Sequence, residues 1–139
     1  MNDDAHLHQI GAVAERTGLS LRTIRHYDEV GLVTPSGRST GGFRLYTDAD
    51  IARLEEIKVM KPLGFSLEET IEILELRAAA NDGTIDPTGL DQLRAFAARA
   101  EQQMFVLRQQ LDRARVFTAS VREEIDLAGS GVRSVRSRR

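Results

Sequence analysis

Apolar residues follow two rhythms along this chain. Up to about Ala79 they come in short sets broken by turn residues, and from Leu90 onward they alternate spacings of three and four without a break. In the first region Ile10, Val13 and Ala14 share one side of a helix expected over about Ile10 to Arg16, which Thr17 and Gly18 close. Gly18 can take the left-handed turn conformation and Ser20 can cap a second helix, predicted from Leu21 to about Val30. Its Leu21, Ile24, Tyr27 and Val30 recur at near-helical spacing toward a core, which turns Arg22, Thr23, Arg25 and His26 to the opposite or flanking surface. The pair reads as a helix-turn-helix.

Gly31 then supplies a stop and Pro35 prevents continuation. A Gly/Ser/Thr loop with Arg38 near its tip returns through Phe43 and Leu45, which alternate with Arg44 and Tyr46 as in a half-buried strand, so a β-hairpin wing is predicted. Thr47 and Asp50 make a capping-box-like pair that opens a third helix through Ile51, Leu54 and Ile57. Pro62 is expected to end or kink it one turn early. Ser66 and Glu69 form a second capping box, opening a fourth helix through Ile71 and Leu74 to about Ala79. At the amino end, Met1 to Leu7 show no period and are expected to fray, with a short strand near Leu7 to Gln9.

The second rhythm comprises Leu90, Leu93, Ala97, Ala100, Met104, Leu107, Leu111, Ala114, Thr118, Val121 and Ile125, the seam of a coiled coil. At about 1.5 Å per residue such a helix reaches roughly 55 to 60 Å, too long to bury its seam on so small a domain. Two copies can cover one another, and Phe96, Phe105 and Phe117 beside the seam are placed to pack on the partner's first domain. The expected architecture is mainly α: a winged helix-turn-helix over 1–79, a linker over 80–89, a dimerisation helix over 90–128, and a basic, disordered tail over 129–139.

Composition narrows the reading. The 139 residues suffice for one compact domain and a long helix, and no apolar run is long enough to cross a bilayer. The polar, acidic amino end is unlike a secretory signal, so a cytoplasmic location is expected. With no cysteine, disulfides, thiolate metal sites and thiol switches are excluded. The net charge of −2 conceals an uneven distribution: Ser20 to Tyr46 carries a formal +2, Thr47 to Ala79 a formal −4, and Val132 to Arg139 a formal +4. The basic stretch is the candidate contact surface for nucleic acid.

No catalytic constellation of nucleophile, base and orienting group is visible, and neither an enzymatic activity nor a cofactor is expected. His6 and His8 share the spacing of a strand face but lack a third ligand, and Glu68, Glu69, Glu72 and Glu75 form a polar helix face without a histidine, so no metal site is assigned. The Gly-rich wing lacks the phosphate-loop pattern.

Three segments, IGAVAERTGLSLRTIRHYDEVGL, GGFRLYTDADIARL and LGFSLEET, stand in an order and spacing that resembles the DNA-binding domain of the MerR family of bacterial transcription regulators, over roughly Gln9 to Leu76. The resemblance implies that Arg22, Thr23, Arg25 and His26, with Tyr27 adjacent, reach bases and phosphates, although many relatives carry a second tyrosine at the position of His26. It further implies that Lys61 anchors a second phosphate patch with Lys58 assisting; Arg16 is expected either to touch phosphate or to be simply solvated, and Arg44, with Arg38 near the wing tip, to bind phosphate or enter the minor groove. Tyr46 is expected either to steady the wing or to touch the backbone. By the same resemblance the dimer helices run antiparallel, and a homodimer binds a near-palindromic promoter element in double-stranded DNA, distorting it so that RNA polymerase can engage.

Relatives that sense metals or thiol stress place cysteines around the positions of Ala79 to Asp82 and Leu127 to Gly131, where this chain has none, so its effector is open. A short form with no separate effector domain after the coil is expected. Two other roles fit the same pattern: a plain repressor or excisionase-like architectural binder, and a coiled-coil interaction module with a degenerate winged helix.

Overall fold

The computed structural model describes residues 7–137, with side chains through residue 131. The expected fraying before Leu7, His6 of the histidine pair and the last two residues of the basic tail lie outside the described residues. The elements in order are β1 (His8–Gln9), α1 (Ile10–Thr17), α2 (Leu21–Glu29), β2 (Gly37–Arg38), β3 (Arg44–Tyr46), α3 (Asp48–Met60), a 3-10 turn (Lys61–Leu63), α4 (Leu67–Asp82) and α5 (Pro87–Ser137). They group into two units that meet in the chain at Phe96 and Ala97.

In the first unit, β3 is the central strand of a small antiparallel sheet in the order β1-β3-β2, with His8 opposite Tyr46 and Arg38 opposite Arg44. The helices that surround it begin and end on local chemistry. Gly18 closes α1 at φ 74°, and the Ser20 side chain accepts from Thr23 N to open α2. Thr47 with Asp50, and Ser66 with Glu69, make reciprocal capping boxes on α3 and α4. Pro62 sits in the 3-10 turn that follows α3, so the helix ends at Met60, as a proline's missing donor requires. Lys58 Nζ donates to the carbonyl of Thr17 at the end of α1. That contact ties α3 to the end of α1.

The core joins Val13, Ile24, Leu54, Ile57 and Tyr46. Phe65 and Phe96 pack edge to face beside it, with centroids 5.8 Å apart. Burial differs from the periodic reading in three places. Leu21 is exposed, because at the first helical position its side chain covers the turn before the helix and lies beyond the core. Leu32 and Val33, just after α2, are buried instead, and both their amides donate to the Tyr27 carbonyl. In the wing strand it is Tyr46 that is fully buried while Phe43 is exposed. Side chains alternate between sheet faces, so burial of Tyr46 decides which face meets the helices.

The linker is shorter than expected. α4 continues through Asp82 to a left-handed Gly83, and α5 begins four residues later. Asp86 Oδ1 accepts from Gly89 N at 2.6 Å and the Asp86 carbonyl from Leu90 N, which makes Asp86 the cap and Pro87 the first helical residue. The last residues of the expected linker are therefore the start of a helix. At the other end α5 continues through Gly129 and Gly131 to Ser137, helical backbone where a disordered tail was expected. Each glycine costs only about 1 kcal/mol in an established helix, too little to stop it alone.

In the second unit much of the apolar seam is exposed among the described residues. Met104, Leu111 and Ile125 of the seam are each at least half exposed, and so are Phe105 and Phe117 beside it.

Candidate nucleic-acid interface

The outer face of α2 is where the first unit gathers uncovered cationic side chains. Arg22, Thr23, Arg25, His26, Tyr27 and Glu29 line an open groove of about 770 Å³, and Lys61 from the 3-10 turn closes one wall. The helix period explains the sorting: Ile24 points to the core, and its neighbours Thr23 and Arg25 point away. Six of the residues picked out in the sequence thus come together. Tyr27 belongs to the groove only by its edge, being 8 % exposed and otherwise part of the core, a packing role that the implied contact role did not include. His26 lies against it with ring centroids 6.4 Å apart.

The other candidates are placed differently. Arg44 Nε donates to Asp28 Oδ2 at 2.8 Å and Arg38 Nη2 to the same oxygen at 3.4 Å, so both wing arginines share one carboxylate on α2. The Asp28 bond raises the Arg44 pKa further above its ordinary value, and the guanidinium stays charged at any working pH. Arg16 Nη1 donates to Asp48 Oδ1 at 3.2 Å, and His8 Nε2 lies 2.8 Å from the same atom. Tyr46 has no surface to offer a phosphate, since it is fully buried. Its hydroxyl has no hydrogen-bond partner among the described residues, and burial raises its pKa. Of the two roles expected for it, support from beneath the wing is the one burial allows.

Neither Asp28 nor Asp48 stands out in the sequence, where each counts only as one acidic charge in its stretch. Their partners lie 10 to 40 residues away in the chain, and no periodic signal spans such separations. Among the described residues no group of three or more His, Asp or Glu side chains could hold a metal ion. No helix among them is long and apolar enough to cross a membrane.

A helix-turn-helix whose second helix presents arginines on its outer face, a hairpin beside it and a long following helix define a winged helix-turn-helix protein. Residues 9–76 match the family model described as MerR HTH family regulatory protein. The chain is 32% identical over 139 residues to the HTH-type transcriptional regulator ZntR of Escherichia coli, covering 92% of this chain and 99% of that one. It belongs to the MerR family of helix-turn-helix transcriptional regulators.

The chain is also 46% identical over 68 residues to the HTH-type transcriptional activator mta of Bacillus subtilis, covering 49% of this chain and 26% of that one. With the HTH-type transcriptional activator TipA of Streptomyces coelicolor it shares 37% identity over 103 residues, 70% of this chain and 41% of that one. It therefore spans well under half the length of these two activators. Among solved structures, a MerR family transcriptional regulator from Bacillus cereus aligns with TM-score 0.57 and 31% identity over 81% of this chain and 75% of that one. HiNmlR, described as a MerR family regulator lacking the sensor domain, bound to promoter DNA, aligns with TM-score 0.62 and 28% identity over 81% of this chain and 88% of that one.

Proposed function

We propose that this chain is a homodimeric regulator that binds a near-palindromic promoter element and distorts the duplex to control RNA polymerase engagement in the cytoplasm. The observation that carries the reading is the α2 groove, in which Arg22, Arg25 and Lys61 stand together around His26. Arginine's planar fork suits guanine edges and phosphate oxygens, and a helix of this size fits the major groove. The likeness to a promoter-bound family member supports the same use of the fold.

Dimerisation is supported by the exposed seam on α5, where Met104, Leu111 and Ile125 are each at least half exposed. Two recognition helices held apart by such a rod can enter successive major grooves only if the duplex yields, at a cost on the order of 1 to 6 kcal/mol. A coiled-coil interaction module would have no use for the α2 groove. Footprinting with polymerase tests the regulatory step: an activator occupies the promoter and leaves polymerase able to bind, whereas exclusion of polymerase makes the chain a plain repressor.

A further inference from the structure

We infer that Asp28 is a positioning residue that sets sequence specificity, by locking the wing arginines to the recognition helix. The inference rests on the DNA-binding reading above. Asp28 belongs to α2, its side chain is only 13 % exposed, and its single oxygen Oδ2 receives both Arg44 and Arg38 from the wing. Arg38 extends the link, because its Nη1 donates to the Gly42 carbonyl in the wing turn at 3.4 Å. Arg44 uses Nε for Asp28, which leaves its Nη protons for a phosphate.

A carboxylate beside a DNA-contacting surface repels phosphate, so its contribution to affinity must come from order. Arginine side chains held in place lose less rotamer freedom on binding than free ones. Recognition helix and wing then present their donors as one rigid pattern, and only a duplex whose base edges and backbone match both at once gains from it. On a non-matching duplex the pattern brings no gain and the negative charge remains. Asp28 therefore acts in opposite directions on the two kinds of complex.

The test is Asp28→Asn, which keeps the size and removes the charge, on two probes: a duplex selected from a random pool by the wild-type chain, and an unselected duplex of the same length. Affinity for the selected duplex should fall about ten-fold, while affinity for the unselected one rises by up to a few-fold because one repulsive charge is gone. Asp28→Glu should recover part of the loss. A parallel fall on both probes marks a folding defect and overturns the inference, as does unchanged discrimination. A DNA-free measurement keeps the clamp separable from the DNA reading: amide exchange over residues 37–46 should quicken in Asp28→Asn while α3 is unchanged. Unaltered wing exchange would overturn the clamp, whereas failure of the wild type to select any duplex would overturn the DNA reading instead.

Discussion

Asp48 and His8 meet at 2.8 Å, joining the first residue of α3 to the first strand, and Arg16 of α1 adds a second bond to the same carboxylate oxygen. Three elements are tied there by one exposed side chain. The His8 bond, with help from Arg16, holds the Asp48 carboxyl below its ordinary pKa of 3.8. A depressed carboxylate pKa contributes stability that is present above 3.8 and disappears as the pH falls through the lower value of the folded state. Urea unfolding of wild type and Asp48→Asn should therefore differ near neutral pH and converge on acidification below that range. A gap that persists at the lowest pH would mean that packing rather than charge makes the difference.

Tyr46 gives the opposite sign. Its phenol is raised above 10.0 by burial, so the neutral form is favoured in the folded state and stability is lost as the pH climbs from 10.0 through that higher value. In a Tyr27→Phe background Tyr46 is the sole tyrosine, and its phenolate absorbance should appear together with unfolding. Removing the unpartnered hydroxyl by Tyr46→Phe should be neutral or stabilising by up to about 1 kcal/mol, because no hydrogen bond is broken and a desolvation cost is relieved. A loss larger than that would reveal a partner for the hydroxyl.

Local signals told much of this fold in advance, and long-range ones did not. The caps at Ser20, Thr47 and Ser66 are properties of four adjacent residues, and the structure has each of them. The sorting of α2 into a buried and a cationic face needed only its period. By contrast, the claim of Asp28 on Arg38 and Arg44 depends on a wing folded against a helix, a contact that no repeat in the chain encodes. Asp86 and Pro87 carried a true signal that was open to two readings, since the same residue types make turns and start helices.

Groove and wing residues should separate by salt dependence. Arg25→Ala, if it removes a base contact, should cost about 1 to 3 kcal/mol on a selected duplex and relax its sequence preference. Lys61→Ala, if it removes a phosphate contact, should weaken selected and unselected duplexes alike and lower the salt slope by about 1. Arg44→Ala should cost about 1 to 3 kcal/mol while leaving the oligomeric state unchanged. Titrations at several salt concentrations distinguish the three, and unchanged affinity in all of them would remove this face as the contact surface.

Leu107→Asp combined with Leu111→Asp should abolish dimerisation, because both positions lie on the seam and would bury unpaired charge between helices. Sedimentation velocity reads the result directly: monomer is expected, and a persistent dimer would place the contact elsewhere.

In the proposed complex two copies act on one site through matched grooves. Sedimentation of the wild-type chain with a duplex from the random pool tests it most directly, through the stoichiometry of the complex. Two chains per duplex, with selectivity lost when the seam is disrupted by those two aspartates, is the predicted result. One chain per duplex at full affinity, or no complex at low salt, would contradict it.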